Sequence, residues 1–108
     1  MTIDFHAEVD KRKEALMEDL FGLLRINSER DDSKADEKHP FGPGPVKALE
    51  HFLALAERDG YKTRNIDNYA GDFEFGQGDE VLGIFAHLDV VPAGSGWDTD
   101  SYEPGIKE

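Results

Sequence analysis

No cysteine occurs anywhere in the chain. That excludes a disulfide framework and a thiolate zinc site, so any metal has to be held by imidazole and carboxylate. Positive charge is also scarce: 12 Lys and Arg stand against 24 Asp and Glu, giving a formal net charge of -12 and a pI near 4.6. Such a surface repels phosphate backbones and anionic headgroups, which sets aside nucleic acid and membrane surfaces as partners. Long apolar runs are missing as well. The longest, "FLALA" and "VLGIFA", fall far short of the ~20 residues needed to cross a bilayer. The opening "MTIDFHAEVDKRKEALMEDL" mixes charges throughout and lacks the apolar core of a secretory leader, so the expectation is a cytoplasmic protein. At 108 residues the chain can fill one modest core, as one domain or part of one.

What is present reads as an α/β pattern. Asp4 is placed to cap a helix whose apolar positions Phe5, Val9, Leu16, Leu20, Leu23 and Leu24 recur at helical spacing to about Ile26, giving one buried stripe. Pro45 in a first turn and Gly60 just past an end bracket a second helix, with Val46, Leu49, Phe52, Leu53 and Ala56 on one side. Between the two, "SERDDSKADEKHPFGPGP" concentrates charge, Gly and Pro and reads as a long surface loop. After Gly60, "YKTRNI" and "DFEFG" alternate in the manner of half-buried strands. "VLGIFA" does not alternate, which is the pattern of a central strand covered on both faces within a partly parallel sheet. Two helices packed on a mixed, partly parallel sheet define the expected fold class, α/β.

The stretch with the most chemistry is "GIFAHLDVVPAGSGW". If residues 81–87 form a central strand, His87 and Asp89 leave the same face, at the carboxyl end where open α/β sheets place their ligands. An imidazole that binds metal needs its second ring nitrogen anchored, and a carboxylate two residues on can do this. His87 is therefore a candidate metal ligand and Asp89 its orienting carboxylate in catalysis. The competing reading is a solvated His-x-Asp pair with no ligand at all. "AGSG" reads as a turn, with a phosphate cradle as the alternative.

Other candidates carry less. His6 and His51 fall in helices and His39 in the charged loop, none at the spacing of a helical zinc motif, and all three read as solvated or packing residues. "ERDD" and "ADE" lack the alternating oxygens and glycine of a calcium loop and read as solvated. Trp97 reads as a packing residue.

"NYAGDFEFGQGDEVLGIFAHLDVVPAGSGW", with "RDGY" after the second helix, resembles the amino-terminal part of the di-zinc aminoacylase/carboxypeptidase-type metallopeptidases. Within that family it looks like the bacterial Xaa-His dipeptidases, also called dipeptidase V or carnosinase-like enzymes. The resemblance covers nearly the whole chain, and its most specific part is His-x-Asp-Val-Val-Pro followed by Gly-x-Gly-Trp. It implies that His87 ligates zinc and that Asp89 orients it. It implies two Zn2+ per active site, with Mn2+ or Co2+ as substitutes, and a dipeptide of Xaa-His or β-Ala-His type as substrate. It further implies that residues 1–108 are the amino-terminal segment of one zinc-peptidase catalytic domain. The bridging aspartate, a Glu-Glu pair, a further carboxylate, a distant histidine and a lid domain would then follow residue 108. The segment alone would be inactive. Ser101 departs from the family pattern, standing where a proline usually follows the aspartate. A related zinc deacylase and a non-catalytic acidic interaction module are the alternative functions.

Overall fold

The computed structural model describes residues 2–107, so the expected segment's two end residues, Met1 and Glu108, lie outside the described residues. Helix α1, Phe5–Leu24, starts where the Asp4 carboxylate accepts the Ala7 N–H at 3.1 Å, satisfying one of the amides that a first turn leaves without a partner. Glu8 adds negative charge to that turn and is tied to Lys11 and Arg12 at 2.9 and 2.8 Å.

Helix α2, Pro43–Arg58, begins on a proline, whose fixed φ suits a first helical position. It ends in a left-handed glycine: Gly60 has φ 91°, its N–H donates to the Glu57 carbonyl, and the Tyr61 N–H reaches back to Ala56, both at 3.0 Å. These paired bonds cap the last free carbonyls. Val46, Ala48, Leu49, Leu53 and Ala56 are all buried, and they constitute the apolar core. Four of the five sit at spacings of three and four, as the sequence pattern expects.

Strands β1 (Thr63–Ile66) and β2 (Ala70–Phe73) form an antiparallel hairpin with Arg64 opposite Asp72. Asp67 and Asn68 take positive φ, and the Tyr69 N–H donates to the Ile66 carbonyl, so the turn follows the right-handed twist of the strands. One face of the hairpin lies on α2. A Cβ on Gly71 would stand 2.9 Å from Leu49 Cδ1 and 3.0 Å from Leu53 Cδ1, and Phe73 stacks on Tyr61 and Phe52 with centroids 5.2 and 6.0 Å apart. The other face carries the Arg64–Asp72 ion pair at 2.6 Å.

Helix α1 is joined to α2 near its carboxyl end. Arg58 grips Asp19 through two hydrogen bonds of 2.8 and 2.9 Å, and that guanidinium holds the Asp19 carboxyl below its ordinary range. Gly22 lets the His51 ring come close, since a Cβ there would be 2.9 Å from Nε2. An open apolar groove of about 270 Å³ runs between Leu16, Leu20 and Leu23 on one side and Phe52, Leu55 and Phe73 on the other.

The α/β class is as expected, while two details differ. The apolar stripe of α1 is not buried: no residue of that helix is, and Phe5, Val9, Leu16, Leu20 and Leu24 stand exposed. Helix α1 touches α2 only near its end, and no second layer lies over the rest of its stripe. Second, residues 81–87 join no ladder among the described residues. The sheet is the two-stranded antiparallel pair β1-β2, and the parallel pairings among the described residues are isolated bridges, Glu29 with Val90 and Pro40 with Gly42. Val81, Leu82, Ile84 and Phe85 are 87–97% exposed. A segment apolar on both faces gains by forming a strand only when neighbours cover both faces, and here it has none.

The chain as a whole is open. Its accessible surface is 9489 Å², against about 6,000 Å² for a compact protein of this mass. Its radius of gyration is 16.7 Å, against about 13 Å for a compact chain of this length. No helix among the described residues is long and apolar enough to cross a membrane.

Two outcomes follow from this packing. In most helices Gly→Ala stabilises by about 0.5–1 kcal/mol, but a Cβ on Gly44, in the first turn of α2, would overlap the Asn27 carbonyl. Gly44→Ala is therefore expected to lower the melting temperature followed by circular dichroism, and a rise would contradict the close approach. The Asp19–Arg58 pair should contribute stability above the ordinary aspartate range and lose it as pH falls through the lowered Asp19 value. Asp19→Asn should then melt earlier than wild type at neutral pH, with the gap closing in acid.

Candidate metal centre

His87 and Asp89 are brought together. The His87 Nδ1 lies 2.9 Å from the backbone carbonyl of Asp89 and 3.2 Å from its carboxylate Oδ1. A carbonyl oxygen only accepts, so the proton of the neutral ring sits on Nδ1 and Nε2 keeps its lone pair. Both side chains are exposed, at 83% and 60%, leaving Nε2 open to a ligand. The convergence differs in origin from the expected strand pleat: it is local, and the Asp89 carbonyl is a closer partner than its carboxylate.

The backbone around the pair is held by the residues following α1. Ser28 is 3% exposed; its hydroxyl donates to the Leu88 carbonyl at 2.8 Å, and its own carbonyl accepts the Val90 N–H at 3.3 Å. Next to it, Glu29 Oε1 accepts the Ala93 N–H at 3.0 Å and the Tyr102 hydroxyl at 2.7 Å. The Trp97 indole N–H donates to the Ala93 carbonyl at 2.9 Å. Gly94 and Gly96 take positive φ, so "AGSG" has the backbone of a turn. Beyond it, Asp100 accepts the Tyr102 N–H on its carboxylate at 2.9 Å and the Glu103 N–H on its carbonyl at 3.0 Å. The aspartate closes this turn by itself, with Ser101 in the position where a proline was expected.

Sequence reasoning missed Ser28, Glu29 and Tyr102. The first two open the stretch read as surface loop, and a lone serine after a helix carries no signal that separates a buried anchor from a solvated residue. Much of the rest of that stretch is short-range polar closure, with Lys38 and Phe41 reaching Asn68 and Tyr69 of the hairpin. Asp31 caps a 3₁₀ turn at Asp32–Lys34, Arg30 pairs with Asp32 at 2.7 Å, and Asp36 accepts from the His39 ring at 2.8 Å. His51 lies against Gly22, and His6 is exposed near the start of α1. Among the described residues no three His, Asp or Glu side chains gather as a metal cluster.

The donor set fits one metal ligand with its orienting groups: a neutral imidazole, an anchored Nδ1–H and an open Nε2. A zinc site needs at least three protein ligands, and this pair supplies one.

Over 101 residues, 94% of this chain, it is 50% identical to a protein of Staphylococcus aureus strain USA300 and 48% identical to one of Staphylococcus haemolyticus strain JCSC1435. Both carry the name "Putative dipeptidase". The chain spans 22% of the length of each. No family model matches it.

The Glu29–Tyr102 bond has a spectroscopic signature. The carboxylate that accepts its proton raises the Tyr102 phenol above the ordinary tyrosine range, helped by partial desolvation. Its contribution to stability is then complete below the ordinary tyrosine value and lost as pH rises through the raised one. Ultraviolet titration should show a late-ionising phenol that vanishes in Tyr102→Phe and moves back toward the ordinary range in Glu29→Gln. An unchanged profile in Glu29→Gln would remove the bond.

Proposed function

We propose that this chain supplies the first metal ligand of a zinc-dependent dipeptidase acting in the cytoplasm on dipeptides of Xaa-His type. The observation that carries the reading is the His87 ring, fixed through Nδ1 with Nε2 free, in a stretch half identical to proteins named as dipeptidases. In this reading residues 1–108 are the amino-terminal segment of one metallopeptidase catalytic domain.

His87 Nε2 would hold the metal. Asp89, by carbonyl and carboxylate together, holds the Nδ1 proton and stabilises the positive charge that ligation draws onto the ring, which raises ligand basicity. Two bound zinc ions, or manganese or cobalt in their place, would polarise the scissile carbonyl and lower the pKa of an attacking water. The remaining ligands and the glutamate general base belong to the rest of such an enzyme, so the 108 residues alone turn over no dipeptide.

The test belongs in the full-length enzyme that this reading requires. His87→Ala should remove bound zinc and dipeptide hydrolysis together. Asp89→Asn, which keeps the shape and the backbone carbonyl but loses the charge, should weaken zinc affinity or activity by ~10- to 100-fold. Circular dichroism should show both variants folded. Wild-type zinc content and turnover in His87→Ala would refute the assignment, and zinc-dependent, chelator-sensitive hydrolysis by the purified 108-residue chain would refute the division of labour.

A further inference from the structure

Ser28 is the one buried polar side chain among the described residues, and packing alone does not explain it. It lies four residues past the end of α1, with the first turn of α2 closed on it: a Cβ on Gly44 would stand 3.2 Å from Ser28 Cα. Its position is therefore fixed by both helices. From there it makes two bonds to the distant segment, both to peptide groups bordering Asp89.

The geometry of those two peptides is what matters. The hydroxyl of Ser28 takes the Leu88 carbonyl, which belongs to the peptide unit preceding Asp89. The carbonyl of Ser28 takes the Val90 N–H, which belongs to the unit following Asp89. A peptide unit is planar and trans, so its N–H and C=O point in opposite directions. The other end of the Val90 N–H unit is the Asp89 carbonyl, the oxygen on which His87 Nδ1 rests at 2.9 Å. The Ser28 main-chain carbonyl thus reaches the imidazole through one rigid plane, and the Ser28 hydroxyl holds the adjoining plane, so that the two together fix the backbone on both sides of Asp89. No comparable restraint acts on the preceding residues 81–86, which are exposed.

We propose that Ser28 is a positioning residue for the metal ligand: it fixes the peptide planes on both sides of Asp89 and thereby sets the tautomer and direction of the His87 ring. A serine suits the place because its hydroxyl is short enough to act from a niche against the backbone and neutral enough to be buried there with its bond made. Its importance for catalysis rests on the dipeptidase reading, whereas its effect on the ring does not.

The experiment compares Ser28→Ala and Ser28→Thr with wild type in the full chain. Nitrogen-15 NMR of the His87 ring without metal reads the tautomer, zinc titration reads affinity, and circular dichroism reads the helices. Ser28→Ala removes the hydroxyl bond to the Leu88 carbonyl and keeps the main-chain bond to Val90, which frees the peptide plane preceding Asp89 to tilt; the variant is expected to keep its helical signal while the ring loses its single Nδ1–H form and zinc affinity falls about 10-fold, the usual cost of removing an outer support. Ser28→Thr, which keeps the hydroxyl, should restore both. An unchanged ring in Ser28→Ala, an equal loss in Ser28→Thr, or collapse of the helices in Ser28→Ala would each overturn the proposal. If instead the ring responds to Ser28→Ala while His87→Ala leaves zinc affinity untouched, positioning stands and the dipeptidase reading falls.

Discussion

One buried stripe on one helix organises the molecule. Every buried apolar residue among the described residues lies on α2, and the hairpin, the end of α1 and the residues after α1 are each defined by how they meet that helix. The hairpin can lie on it because Gly71 has no side chain to hold Leu49 and Leu53 away. The carboxyl end of α1 is clasped to it by the Asp19–Arg58 pair. The residues after α1 are wedged against its first turn at Gly44. Burial is non-directional, so it gathers these parts without setting their angles. The glycine approaches and hydrogen bonds supply the direction.

Much of this was legible in the sequence because it is local. An aspartate before an apolar-periodic run, a proline at a first turn and a glycine beyond a last turn act through the few residues on either side of them. Asp4, Pro45 and Gly60 accordingly marked the helices to within a few residues. "YKTRNI" and "DFEFG" pointed to two strands for the same reason, although β2 lies at Ala70–Phe73 and Phe75 stands outside it. The fate of the α1 stripe and of residues 81–87 was not local. Periodicity says that a face is apolar and is silent on whether another layer reaches it. Ser28 was unreadable for a related reason, since its bond closes a separation of 60 residues and nothing in its neighbours announces the partner. The pairing of His87 with Asp89 was foreseen, yet the foreseen cause was strand geometry, and the observed one is a local contact in which a main-chain oxygen takes the larger part.

The site divides its labour between backbone and side chain. The imidazole and carboxylate face water, while the peptide groups on either side of Asp89 are tied to the body of the protein. Directional restraint is thus provided by groups that carry no net charge, and the charged groups remain free to respond to a ligand. The surplus of carboxylates over the chain favours the approach of any cation, so at the proposed site selectivity would have to come from geometry and donor type. Imidazole is a donor suited to zinc and neighbouring transition metals and poorly suited to calcium or magnesium.

Residues 81–86 carry a cost in handling. A run of β-prone, uncharged side chains without proline, lying outside any sheet, is the composition that stacks copy upon copy into steric zippers. Residues 74–80 separate it from a two-stranded hairpin, each of whose strands has one edge unpaired among the described residues. The flanks are built against this: Asp79 and Glu80 come immediately before the run, Asp89 shortly after it, and Pro92 beyond. Charges and a proline so placed act as gatekeepers, making in-register stacking electrostatically and sterically unfavourable. The same carboxylate that steadies the imidazole within one molecule therefore also helps to keep separate molecules apart.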